Sequence, residues 1–122
     1  MPRYALVVDD ARVAAATIAQ ALQLLGYETE VAYGSRPALE SLARRIPDVI
    51  LLDINMPGVD GMEVCRHLRR EPRTAKTVII AMSSETQAET VNLAYKAGAD
   101  VFLSKPIEID ALERTLKSFF AD

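Results

Sequence analysis

Three features of the sequence predict an α/β fold, with five βα units forming a doubly wound parallel sheet of five strands. Short apolar runs alternate with helical stretches five times along the 122 residues. The connections are short and marked by Gly26, Pro47, Gly61 and Gly98. The run Val49–Leu52 is continuously apolar, as a strand covered on both faces should be. A chain of this length makes one domain, residues 1–122, with one sizeable core.

Tyr4–Val8 reads as the first strand. Ala14, Ile18, Ala21, Leu22 and Leu25 then recur at helical spacing, and Gly26 stops that helix. Glu28–Ala32 alternates with β-branched residues, which suits an edge strand. Ser35 is the expected N-cap of the second helix, with Pro37 in its first turn. Leu39, Leu42, Ala43 and Ile46 supply its apolar face before Pro47. Val49–Leu52 is the third strand, and Asn55-Met56-Pro57-Gly58 reads as a loop. Gly61 precedes a helix carrying Met62, Cys65 and Leu68. Thr77–Met82 is the fourth strand. Ala88, Val91, Ala94 and Tyr95 stripe the fourth helix, which Gly98 ends. Val101–Leu103 is the fifth strand, and Ile109, Leu112, Leu116, Phe119 and Phe120 form the last helical face. The crossovers are expected to be right-handed. Two residues follow Phe120, so no effector domain or linker is expected in this chain.

The composition is that of an ordinary soluble domain: 50% hydrophobic and 25% charged, with a net charge of −3. That balance argues against non-specific nucleic-acid binding, which needs basic surface to displace counterions. The densest basic stretch, Arg66, Arg69, Arg70 and Arg73, is expected to be a solvated helix end, where cations suit the macrodipole. The single Cys65 excludes an internal disulfide and a cysteine-rich metal cluster, and is expected in the core. The apolar runs are far shorter than a membrane span, and Met1–Arg3 lead straight into a strand with no signal peptide. A cytoplasmic location follows by elimination.

The chemistry rests on charged residues at strand ends. Asp9 and Asp10 end the first strand, Asp53 ends the third, and Lys105 follows the fifth. In an open parallel sheet the carboxyl ends of the strands share one edge, and that edge binds ligands. Gathered there, three carboxylates repel: two unit charges 4 Å apart cost about 4 kcal/mol at an effective dielectric near 20. Such a cluster needs a cation or a raised pKa. Three acids and one lysine sum to −2, which one divalent ion balances, and hard oxygen ligands favour Mg²⁺. The bland alternative is that Asp9 and Asp10 only cap the first helix. Asp53, emerging from an apolar run, is placed to attack a phosphoryl donor and form an acyl phosphate. Lys105 would neutralise a phosphoryl oxygen, and Ser83 or Ser84 would donate a hydroxyl hydrogen bond. A cis Lys105–Pro106 bond would aim the lysine inward. His67, the sole histidine, is expected to be a solvated side chain, which disfavours a serine-hydrolase triad.

Together these residues resemble the receiver domain of bacterial response regulators, over the whole chain. The resemblance rests on Asp9-Asp10, on Leu51-Leu52-Asp53-Ile54-Asn55-Met56-Pro57-Gly58 with Gly61, on Ser83 thirty residues past Asp53, and on Phe102-Leu103-Ser104-Lys105-Pro106. It implies a flavodoxin-like sheet of order 2-1-3-4-5, the order for which a chemotaxis member of the family is a standard example. It further implies Asp53 as phosphoacceptor, with Ser83 and Lys105 contacting the phosphoryl group. Asp10 and Asp53 would bind metal directly, the Asn55 main-chain carbonyl would complete the protein ligands, and Asp9 would act through water. The metal is Mg²⁺, with Mn²⁺ as a substitute. Ser83 and Phe102 would be the switch pair; Phe in place of the frequent Tyr leaves no hydroxyl at the ring tip. Asn55 and Glu85 stand where the family controls access of hydrolytic water, and the pair implies a short-lived phosphorylated state.

The partners implied are a histidine kinase or histidine phosphotransfer protein and a downstream effector, with no direct nucleic-acid or membrane contact. The chain would be a monomer or a weak phosphorylation-dependent dimer. It would promote its own phosphorylation and dephosphorylation without independent turnover, and would signal through the face made by the fourth helix, fifth strand and fifth helix. Two readings compete. A haloacid-dehalogenase-like phosphatase wants a second aspartate where this chain has Asn55. A non-phosphorylated, receiver-shaped binding module would have no need of the intact acid set.

Overall fold

The computed structural model describes residues 2–56 and 59–120. Five strands form the central sheet: β1 (Tyr4–Val8), β2 (Glu28–Ala32), β3 (Val49–Asp53), β4 (Val78–Ser83) and β5 (Val101–Ser104). Five helices connect and follow them: α1 (Arg12–Leu24), α2 (Ser35–Arg44), α3 (Gly61–Arg70), α4 (Ala88–Ala97) and α5 (Ile109–Phe119). All pairings in this sheet are parallel and the order is β2-β1-β3-β4-β5, as expected.

The strand period of two divides the core. Leu6, Val8, Ile50, Leu52, Ile79 and Ala81 face one side, where Leu42 of α2, Val64 and Leu68 of α3 and Ala94 of α4 cover them. Ala5, Val7, Val49, Leu51, Ile80 and Met82 face the other, under Ile18 and Leu22 of α1 and Leu112 and Leu116 of α5. Both faces of β1 and β3 are therefore apolar, which is why those strands read as unbroken hydrophobic runs. Each fully buried Leu or Ile here contributes about 1.5–3 kcal/mol relative to exposure. The result is a rigid floor whose carboxyl edge presents the strand-end side chains. Among the described residues, no helix is long and apolar enough to cross a membrane.

Several local expectations are corrected. Ser35 is the first helical residue of α2 rather than its cap; Gly34 occupies the cap position, and its carbonyl accepts from Ala38 N at 3.1 Å. Asn55–Met56 pairs antiparallel with Val59–Asp60 in a two-residue ladder where a plain loop was expected, and Pro57-Gly58 lies outside the described residues. β3, β4 and β5 each run one residue further than the apolar pattern, taking in Asp53, Ser83 and Ser104, because parallel pairing continues past the last apolar side chain. β4 starts at Val78, while the buried Thr77 donates its hydroxyl to Pro47 O at 3.2 Å.

α4 buries only Ala94 and Ala97; Ala88 and Tyr95 of the expected stripe are exposed. The Tyr95 hydroxyl instead accepts from Phe102 N at 3.1 Å, satisfying a donor on the edge strand β5. Ile109 and Phe119 are likewise exposed.

The arginine stretch is not uniformly solvated either. Arg69 leaves α3 to donate to Gly98 O, Ala75 O and Thr77 O at 2.7–2.9 Å and to pair with Asp100 at 2.7 Å. Asp100 in turn accepts from Ile79 N at 2.8 Å. Gly98, at φ 120°, leaves room for the arginine stem; a Cβ there would sit 2.6 Å from Arg69 Cγ.

Candidate functional site

The carboxyl ends of β1, β3 and β5 bring together Asp9, Asp10, Asp53 and Lys105, the four charged residues that the sequence places at strand ends. Asp9 is completely buried. Its Oδ1 accepts from Ala11 N at 3.0 Å and its Oδ2 accepts from Lys105 Nζ at 2.6 Å, so neither oxygen is orphaned. The N-cap of α1 is Ala11, whose own side chain makes no cap bond; Asp9 satisfies the Ala11 N–H at the helix start with one oxygen and faces Lys105 with the other, so capping alone does not explain the two acids. Asp53 sits one strand over. Its Oδ1 accepts from Asn55 N at 3.0 Å and its Oδ2 lies 3.3 Å from the same Lys105 ammonium. Asp10 is exposed, but each of Asp9, Asp10 and Asp53 offers an oxygen within 4.8 Å of the others.

Lys105 is aimed by the sheet. Its backbone N donates to Ser83 O at 2.9 Å, prolonging the β4–β5 ladder by one step, and the Lys105–Pro106 peptide is cis. The ammonium bridges the two acids across the strand ends with a side chain 19% exposed.

The electrostatics follow from burial and proximity. Desolvation pushes the Asp53 carboxyl above its usual range; the Asn55 N–H and Lys105 pull it down and Asp9 pushes it up again, so the net shift is upward. Burial alone would lower the Lys105 pKa, but the hydrogen bond to Asp9 and the fields of Asp53 and Asp9 outweigh it and hold the ammonium above its ordinary value. Burial thus dominates at Asp53, while the two acids dominate at Lys105. Three converging carboxylates are hard oxygen donors, and they fit a divalent cation.

Ser83, rather than Ser84, is the buried hydroxyl. Its Oγ accepts from Asn55 Nδ2 at 2.6 Å and from Glu85 N at 2.9 Å. Ser84 is exposed and lines, with Ala14, Thr17, Ile18, Lys105 and Ile107, an apolar cleft of about 440 Å³ between α1 and the start of the β5–α5 loop. Phe102 is half-buried and packs against the cluster under α3 and α4. His67 is exposed and Cys65 is fully buried, as expected.

Gly61 is the silent member of the site. A Cβ on it would lie 2.5 Å from Ile54 Cα and 2.8 Å from Asp53 O, so only glycine lets α3 start this close to the end of β3. The reading of the sequence did not anticipate the Asn55 amide on Ser83 or the bond from Tyr95. Asn55 lies 28 residues from Ser83 and Tyr95 seven residues from Phe102 across the α4–β5 turn, and nothing in the local pattern marks either bond.

The profile of the response regulator receiver domain matches residues 5–117. Response regulator MprA of Mycolicibacterium vanbaalenii is 36% identical over 112 residues, covering 92% of this chain and 48% of that protein. The chain thus spans about half the length of such curated relatives. Among solved structures, the Vibrio cholerae chemotaxis protein CheY4 superposes with a TM-score of 0.89 at 31% identity, covering 97% of this chain and 98% of that one. The receiver domain of the Pseudomonas aeruginosa sensor histidine kinase PA1611, solved with a magnesium ion coordinated in its active-site cleft, gives 0.89 at 26% identity over the full length of both chains.

Proposed function

Since the chain belongs to the response regulator receiver domain family, whose members are phosphorylation-controlled signalling switches and not classical enzymes, we propose that the whole chain, residues 1–122, is one receiver domain with Asp53 as its phosphoacceptor. The observation that carries this reading is the Lys105 ammonium bridging Asp9 and Asp53 at 2.6 and 3.3 Å beside a third carboxylate.

In the proposed reaction an Asp53 carboxylate oxygen attacks the phosphorus of a phosphohistidine on a kinase or phosphotransfer protein. The P–O bond forms as the P–N bond breaks, and the electron pair leaves on the imidazole nitrogen. The residues do the positioning. Asn55 N–H fixes one Asp53 oxygen, Lys105 is at hand for a phosphoryl oxygen, and the buried Ser83 hydroxyl can donate to another. Asp10, Asp53, the Asn55 main-chain carbonyl and, through water, Asp9 would hold Mg²⁺, or Mn²⁺ in its place, which supplies charge neutralisation when bound. The cleft beside Lys105 offers the donor protein an apolar seat next to the acceptor.

Drawing Ser83 toward the phosphoryl group frees space for Phe102 and alters the α4–β5–α5 face presented to an effector. The domain acts in the cytoplasm, as a monomer or a weak phosphorylation-dependent dimer, and promotes its own phosphorylation and hydrolysis without independent turnover.

Labelling with acetyl phosphate and Mg²⁺ tests the assignment. Wild type is expected to take up one phosphoryl group and Asp53→Asn none; stoichiometric labelling of the variant would remove Asp53 from its role. Turnover of small phosphoesters would favour the phosphatase reading. Failure of wild type to bind Mg²⁺ or beryllofluoride would favour a pure binding module.

A further inference from the structure

Resting on the phosphoacceptor reading above, we propose that the Asn55 side chain is a latch that holds the Ser83 hydroxyl off the acceptor until a phosphoryl oxygen replaces it. A hydroxyl oxygen has two lone pairs and one proton. Both lone pairs of Ser83 are engaged, by Asn55 Nδ2 at 2.6 Å and by Glu85 N at 2.9 Å, and among the described residues Asp53 makes no hydrogen bond to it. Turning Ser83 toward Asp53 breaks the bond to Asn55, and the Glu85 N–H either follows or is lost.

The two ends of the latch differ in what release costs them. Asn55 is exposed, so its amide exchanges Ser83 for water at little cost. Ser83 is completely buried, so its hydroxyl oxygen has no water to exchange into and needs a protein or phosphoryl partner. The latch therefore stays closed while Asp53 is a bare carboxylate and opens when an anionic oxygen comes within reach of the hydroxyl proton.

Asn55 is also tied to the acceptor itself, through its backbone N–H on Asp53 Oδ1 at 3.0 Å. One residue thus touches both the group that is modified and the group that responds. The bond from Glu85 N gives the motion a direction: the start of the β4–α4 connection is fastened to the same oxygen, so releasing Asn55 lets Ser83 and that loop move together. Asn55 is a positioning residue on this account, acting through Ser83, and its effect is on the equilibrium between resting and activated states.

A mutant cycle on beryllofluoride binding in Mg²⁺ tests the latch. Asn55→Ala is expected to bind beryllofluoride about three- to tenfold more tightly than wild type, the span of one ordinary hydrogen bond. The same substitution in a Ser83→Ala background is expected to change nothing. An affinity for Asn55→Ala equal to or weaker than wild type, or an equal gain in the Ser83→Ala background, overturns the latch.

The resting protein gives a second readout that needs no ligand. In metal-free wild type, three-bond couplings are expected to report a single Ser83 χ1 rotamer, and Asn55→Ala to average it and speed exchange of the Glu85 amide. Unchanged couplings and exchange in the variant overturn the latch even where wild type binds beryllofluoride. Absence of beryllofluoride binding by wild type, with the rotamer response intact, counts against the phosphoacceptor reading and leaves the latch standing.

Discussion

Gly61→Ala perturbs the proposed phosphoacceptor without touching any side chain proposed to take part in the chemistry. The added Cβ would lie 2.5 Å from Ile54 Cα, 2.8 Å from Asp53 O and 3.1 Å from Ile54 C. Carbon–carbon contacts are favourable near 3.5–4.0 Å, so α3 and the segment after β3 must part by about 1 Å. All three atoms are backbone, so no rotamer change relieves the clash. Overpacking of this kind costs about 2 kcal/mol, which for a domain of this size lowers Tm by roughly 6–12 °C.

The displaced segment is the one that aims the site. Ile54 N donates to Met82 O at 3.0 Å, and Asn55 N holds Asp53 Oδ1. Since a 1 Å misplacement costs about a hundredfold in rate, a shift shared between helix and strand should slow acetyl-phosphate labelling about tenfold. Gly34→Ala is the control. Its Cβ meets only Pro37 Cδ, at 3.8 Å, and φ 163° is extended backbone. That variant should match wild type or gain up to about 1 kcal/mol by restricting the unfolded chain. Circular-dichroism melts and labelling rates decide the matter. A Gly61→Ala protein that melts within about 1 °C of wild type and labels at the wild-type rate would refute the argument from close approach.

Arg69→Met should cost about 2–3 kcal/mol, read as a lowered urea midpoint at unchanged m value, because three carbonyls and the Asp100 carboxylate lose their donor. Arg69→Lys should recover little of it, since one ammonium cannot reach four acceptors spread over two separate connections; full recovery would refute the hub.

Glu30 gives a pH prediction. Its carboxylate accepts from Ser41 Oγ and from Tyr4 OH at 3.3 Å and pairs with Arg44, and these hold its pKa below the ordinary glutamate range against partial burial. A depressed folded pKa stabilises above the unfolded value and is lost as pH falls through the folded one. The Tm deficit of Glu30→Gln should therefore be present at about pH 6 and shrink by about pH 3. A deficit that is constant across that range would remove Glu30 from the network. Its half-exposed setting keeps the effect small and sensitive to salt.

The strands and the convergence of Asp9, Asp10, Asp53 and Lys105 at their ends were legible because burial forces a pattern, whereas the strand order rested on the resemblance to receiver domains. A strand covered on both faces must be apolar until it leaves the core, so the first charged residue after it marks the sheet edge. What sequence did not carry is contact between residues distant along the chain. Nothing in Glu-Val-Cys-Arg-His-Leu-Arg-Arg distinguishes Arg69, which runs back along a glycine of α4, from neighbours at the same helix end. Helical periodicity also overstated α4. That helix meets the sheet through the small side chains of Ala94 and Ala97, so Ala88 and Tyr95 stay outside although their spacing suits an apolar stripe.

Both side chains proposed to grip the phosphoryl group are already occupied at rest. Lys105 leans on Asp9 at 2.6 Å more closely than on Asp53 at 3.3 Å, and Ser83 is held by Asn55 and Glu85. Phosphorylation of Asp53 would therefore exchange partners instead of adding bonds to empty hands, and the net gain would be a difference between hydrogen bonds each worth about 1 kcal/mol. A difference of about 1.4 kcal/mol shifts a two-state population tenfold, which is enough to signal and small enough to reverse. Burial, the largest cause of the raised Asp53 pKa, works in the same direction, with the neighbouring Asp9 charge adding to it: the poorly solvated carboxylate would be better served by a cation and a phosphoryl group. Converging acids from two strands and a lysine from a third would make that setting a property of the sheet edge itself, sensitive to any change that moves one strand end against another.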